Sequence, residues 1–72
     1  MKLYETIKDI RKKAGMTQID FANAIGCRQN TLSDYENGKS TPSVEVLRLI
    51  VKVAKKHKIK VRLEDLLSED EG

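Results

Sequence analysis

Gly26 divides the most tightly patterned stretch of the chain, Thr17 to Gly38, into two short amphipathic segments. A glycine enters the left-handed region without a Cβ penalty, so the chain can reverse sharply there. Before it, Thr17 and Asp20 have the spacing at which a hydroxyl and a carboxylate satisfy free N–H groups at a helix start. Met16 ahead of that cap and Phe21 at the fourth helical position are placed to pack on each other as a hydrophobic staple. Phe21, Ala22 and Ile25 then make one apolar face. After the turn at Gly26-Cys27-Arg28, Leu32 and Tyr35 lie three apart, and Asn37-Gly38 is a helix stop.

Two helices, over about 17–25 and 29–36, joined by a short Gly-containing turn define a helix-turn-helix unit. The flanking sequence supplies helices to pack it against. Leu3, Ile7, Ile10 and Ala14 recur at helical spacing, which predicts a first helix over about 3–14, with Lys12 and Lys13 in its last turn and Gly15 beyond its end. Asn37 to Thr41 reads as a polar loop, and Thr41 as cap with Pro42 at the first helical position predicts a fourth helix reaching about Lys56. Its stripe Val44, Leu47, Ile50, Val51 and Ala54 suits a core. A second stripe, Val46, Leu49 and Val53, needs a cover of its own, either the chain's C-terminal segment, the favoured choice, or a second copy in a homodimer. Ile59, Val61 and Leu63 alternate with charged residues as a short extended stretch, and Leu63-Glu64-Asp65-Leu66-Leu67 suits a brief fifth helix closing the core with its three leucines. The expected organisation is one all-α domain over 1–67 and an acidic, frayed tail over 68–72.

Composition narrows the function. A chain of 72 residues holds one small core, which buries only about 60% of its unfolded surface. No apolar run reaches the roughly 20 residues that span a bilayer, and MKLYETIKDI lacks the apolar core of a secretory signal. The single Cys27 forms no internal disulfide, which fits a reducing cytoplasm, and Cys27 with the distant His57 make no zinc site. No nucleophile–base pair, metal set or phosphate loop is legible, so neither an enzyme nor a cofactor or small-molecule ligand is expected.

The net charge of +3 is unevenly spread: residues 44–62 carry seven basic and one acidic residue, while 63–72 carry five acidic ones. A basic body fits a nucleic-acid partner, although surface lysines are often only solvated.

From Gly15 to Ser43 the text GMTQIDFANAIGCRQNTLSDYENGKSTPS resembles the Cro and phage-repressor type of helix-turn-helix domain, also called the xenobiotic-response-element (XRE) family. Met16-Thr17-Gln18, Phe21-Ala22, Ile25-Gly26, Thr31-Leu32-Ser33 and Tyr35-Glu36-Asn37-Gly38-Lys39 carry the resemblance, which covers about residues 3–67. It implies a lambda-repressor-like bundle of five short helices and a bacterial or phage-type transcription regulator. Such a regulator, most simply a repressor, binds a palindromic operator in double-stranded DNA as a homodimer, with the third helix in the major groove. The rival is a protein-interaction module on the same fold, such as an antitoxin or anti-repressor partner.

In that setting, Arg28, Gln29, Asn30, Ser33 and Asp34 are the expected base contacts, the two amides being suited to adenine. Gln18, Asn37, Lys39, Ser40 and Thr41 are the expected phosphate contacts, with Arg11 sharing that role while forming an internal ion pair with Glu36.

Several positions depart from the family pattern. Arg28 stands where Ser or Thr usually caps the third helix, at a cost of about 1 kcal/mol, so a contact from Arg28 to a phosphate or guanine is expected. Asp34 is an acid on the reading helix; accepting from cytosine, bracing Arg28 or repelling wrong sequences are its open roles. Cys27 replaces a small aliphatic and is expected to be a buried, inert thiol. The segment Lys55–Arg62 is longer than the family's turn and lacks its glycine.

Overall fold

In the computed structural model, described over residues 1–69, five helices follow one another: α1 (Leu3–Lys13), α2 (Gln18–Ala24), α3 (Gln29–Glu36), α4 (Val44–Lys56) and α5 (Leu63–Glu69). The sequence reading placed the first three within a residue or two. The fifth extends through Ser68, whose hydroxyl donates to the Glu64 carbonyl at 2.9 Å, so the helix includes two residues assigned to the tail. Residues 70–72 of that tail lie outside the described residues.

Caps explain where the helices begin. The Thr17 hydroxyl accepts from the Asp20 N–H at 3.1 Å, and the Ser43 hydroxyl accepts from the Val46 N–H at 3.3 Å. The start of α4 corrects the expectation. Ser43 is its cap, not Thr41, and Pro42 is buried one residue before the cap instead of opening the helix. Ser43 wins because its hydroxyl meets the third N–H of the helix, while Pro42 and Leu47 take the same flanking positions that Met16 and Phe21 take around α2, and both are buried.

Left-handed residues end the helices. Gly15, Gly26 and Gly38 have φ of 70°, 73° and 75° after α1, α2 and α3. After α4 the same position is filled by Lys58, φ 58°. Its N–H donates to the Lys55 carbonyl at 3.1 Å, and the Ile59 N–H donates to Ala54 at 2.8 Å, the paired bonds of a Schellman end. The missing glycine before the last helix is therefore replaced by a strained lysine, and the chain leaves α4 through the usual gate.

The core comprises Leu3, Ile7 and Ile10 of α1, Phe21 and Ala22 of α2, Ile25, Leu32 of α3, Leu47, Ile50, Val53 and Ala54 of α4, and Leu66 of α5. Two of the expected stripes are redistributed. Val44 is 45% exposed because it opens α4 at the rim of the bundle, and Leu67 is 41% exposed because Leu66 alone of its pair points between α1 and α4. Of the second stripe on α4, Val53 is buried within the chain, on the side of α4 that faces Met16 and Ala24, and Val46 is half-buried; Leu49 remains exposed. Val53 is thus a core residue and no part of a free dimer surface. No described helix is long and apolar enough to cross a membrane.

Candidate nucleic-acid interface

The N-terminal half of α3 projects a polar face whose position is held by a buried ion pair. Glu36, in the last turn of α3, has a side chain only 2% exposed, and its partner Arg11 on α1 is 13% exposed. Arg11 Nε donates to Oε2 at 2.7 Å and Nη2 donates to Oε1 at 3.1 Å, a two-point fork. A third donor, Nη1, reaches the Met16 carbonyl at 3.1 Å, just ahead of α2. One guanidinium therefore ties α1 to α3 and to the entry of α2. The expected pair is present; with three of five N–H groups engaged inside, little of Arg11 remains for an outside ligand.

Gln18 continues the chain outward. Its Nε2 donates to Glu36 Oε1 at 3.1 Å, and its Oε1 accepts from Gln29 Nε2 at a long 3.5 Å. The carboxylate fixes the orientation, since an ionised Glu36 can only accept, so Gln18 must turn its nitrogen inward and its oxygen toward Gln29. Gln18, expected as a phosphate donor, is half-buried and acts within the protein as a relay. Its link to Glu36 spans 18 residues and had no signal in the sequence beyond the amide itself. The Asp20 and Thr17 pair a turn away was legible; this relay was not.

On α3, Leu32 and Glu36 are buried and Tyr35 is half-buried against the core. At 100° per residue, that inward side leaves Asn30 and Asp34 on the opposite side, with Gln29 and Ser33 at its edge. Gln29 and Asn30 are exposed; Ser33 and Asp34 are half-buried. Asn37 Nδ2 donates to Ser33 Oγ at 3.3 Å, so Gln29, Ser33 and Asn37 form one line along the helix. Arg28 is exposed at the N-cap and its side chain makes no cap bond, as its departure from the pattern implies. No ion pair joins it to Asp34 among the described residues, so that brace does not form in the unbound chain.

Asn37, Lys39, Ser40 and Thr41 are exposed and follow α3 directly. The loop is anchored through the Asp34 carbonyl, which accepts from the Lys39 and Ser40 N–H groups at 2.9 and 3.4 Å. Gly38 is pinned as well: a Cβ there would lie 3.1 Å from Tyr4 Cδ1 on α1. That contact escaped the sequence reading, in which Gly38 was only a stop. Cys27, in the turn before α3, is half-buried; burial pushes its thiol up from the ordinary value, partly offset by a hydrogen bond from the Leu32 backbone. The full burial expected of Cys27 is not reached, and the upward shift favours the neutral thiol over the more nucleophilic thiolate.

The polar face of α3 beside a donor-rich loop has the geometry of a major-groove reader. Residues 7–57 match the helix-turn-helix family. The chain belongs to the Cro and phage-repressor (XRE) type of helix-turn-helix DNA-binding regulators.

Among its relatives is an uncharacterised HTH-type transcriptional regulator of Archaeoglobus fulgidus, 40% identical over 65 residues, which are 90% of this chain and 86% of that protein. The ImmF control region 10 kDa protein of Bacillus phage phi105 is 43% identical over 49 residues, 68% of this chain and 54% of that one. Antitoxin PezA of Streptococcus pneumoniae serotype 4 is 38% identical over 66 residues, 92% of this chain; the chain spans only 39% of PezA's length. No solved structure is significantly similar to the chain.

Proposed function

We propose that the protein is a sequence-specific transcriptional repressor that binds a palindromic operator as a homodimer. The observation that carries this reading is the outward polar face of α3, held by the line Arg11–Glu36–Gln18–Gln29. Gln29 keeps one N–H on Gln18 and has a second N–H and its oxygen for a base, the pair of groups that adenine N7 and N6 require. Asn30 offers the same chemistry one residue on, and Arg28 reaches a phosphate or guanine from the cap. Ser33 and Asp34 meet bases further along the groove, where Asp34 accepts from cytosine or repels a wrong sequence. Lys39, Ser40, Thr41 and Asn37 follow the phosphate backbone; Arg11 and Gln18, whose internal bonds leave two N–H groups on the first and one on the second, add at most a minor contact to that row.

The mechanism is occupancy: binding covers promoter DNA, and no bond is made or broken. Two copies place their α3 helices about one helical turn apart, near 10 base pairs. Selection of bound duplexes from a random pool tests the reading. Recovery of an inverted repeat with that spacing, bound more weakly as salt rises, is expected; recovery of no consensus would overturn it.

A second reading, the DNA-binding half of an antitoxin-like pair, is favoured by the likeness to PezA over nearly the whole of this chain. In that case a protein partner, co-purified with the chain from its own host, would raise operator affinity; a partner-free, full-strength repressor would exclude it.

A further inference from the structure

A hollow of about 330 Å³ lies where α4 passes the two ends of α2. Its floor is carbon: Met16, just ahead of α2, and Ala24, at its end, face Leu49 and Val53 of α4. Val53 is buried, Met16 is half-buried, and Leu49 is left 39% exposed. Its rim is Lys52, Lys56 and His57, all exposed. No carboxylate lines the hollow, and neither lysine has a carboxylate partner among the described residues. On α4 these residues follow at helical spacing along one face, with Leu49 at one end and Lys56 and His57 at the other. At the rise of a helix those ends are about 10–12 Å apart.

A DNA phosphate would satisfy the cations and leave the floor wet. A second copy related by a two-fold axis would set the cationic face against itself. An apolar chain ending in an anion satisfies floor and rim together, and the volume lies at the small end of ligand sites, which span about 300–1,000 Å³. We propose that the hollow binds a small amphiphilic carboxylate, with a medium-length alkyl chain along Leu49 and Val53 and the carboxylate held by Lys52, Lys56 and His57. The sequence reading expected no such ligand, because the walls come from segments distant in the chain. The site also bears on the α3 face through Met16, whose carbonyl accepts from the same Arg11 guanidinium that holds Glu36. The ligand is therefore an effector of DNA binding, a step that rests on the operator reading above.

Amide NMR of the full chain titrated with decanoate, decanol and acetate tests the site. Decanoate should bind saturably and shift the amides of Met16, Ala24, Leu49 and Val53, with decanol and acetate each at least about tenfold weaker. Lys52→Gln/Lys56→Gln, at two exposed positions, should lose at least about tenfold for decanoate and leave decanol unchanged, with circular dichroism verifying the fold. Saturating decanoate should change the operator affinity of the parent about fivefold or more, and leave that variant's unchanged. Shifts that never saturate, decanol as tight as decanoate, or a variant with full affinity overturns the site. Self-association of the parent that Leu49→Lys abolishes assigns the face to a second copy and overturns it too. Saturable binding with no change at the operator overturns the effector role. A parent that binds no DNA overturns the repressor reading, and the decanoate titration then decides the site by itself.

Discussion

Arg11 and Glu36 meet at 2.7 Å across 25 residues of sequence, and among the described residues no other cation pairs with the buried carboxylate. The pair decides how α3 is carried, because Glu36 also holds Gln18 and, through it, Gln29.

Removing one partner strands the other. Arg11→Met should cost about 3–5 kcal/mol by leaving a buried carboxylate unpaired, enough to unfold much of a 72-residue domain. The double variant Arg11→Met/Glu36→Leu should recover most of that loss. Urea denaturation of the two variants measures the difference, and equal stability of single and double variants would show that the pair does not act as described.

Gln18→Ala keeps the ion pair but frees Gln29. Operator affinity should fall, with the loss concentrated in discrimination at the base read by Gln29, about 1 kcal/mol or more. Binding to single-base operator variants separates this from loss of a phosphate contact, which would weaken all sequences alike.

Arg28→Ser should move two quantities in opposite directions. A hydroxyl at the uncapped start of α3 adds about 1 kcal/mol of stability, while operator affinity drops because the outward guanidinium is lost. A thermal melt and a mobility shift on the same preparation check both; unchanged affinity and sequence preference would rule out a DNA role for Arg28.

The glycines after α2 and α3 should respond unequally. Both have positive φ, so alanine at either costs about 1 kcal/mol in backbone strain. Nothing lies near a Cβ at Gly26, whereas one at Gly38 meets the Tyr4 ring. Gly38→Ala should be the more destabilising, and adding Tyr4→Ala should remove the excess.

Lys58→Gly tests the strained end of α4. Relief of the left-handed lysine should stabilise the fold by about 0.5–1 kcal/mol, read as a rise in melting temperature. A fall would mean that the lysine side chain contributes more to the fold than its backbone costs.

What the sequence determined by itself was local. Gly15, Gly26 and Gly38 mark the ends of three helices because only a residue without Cβ turns left-handed freely, and Thr17 marks a start because its hydroxyl meets an N–H three residues away. Such signals act within one turn of chain, and they delimited α1, α2 and α3 and the outward set Arg28, Gln29, Asn30 and Ser33. The resemblance to a known family supplied the Arg11–Glu36 pair. Tertiary structure alone decided the rest. Whether Val53 was core or surface depended on where α4 lay against Met16 and Ala24, and whether Gln18 faced a phosphate or Glu36 depended on how close α1 and α3 bring their charged ends. Periodicity names a helix face, but only packing determines which of two apolar faces is covered. Likewise a lone amide gains a direction only when a buried carboxylate, distant in sequence, gives it one.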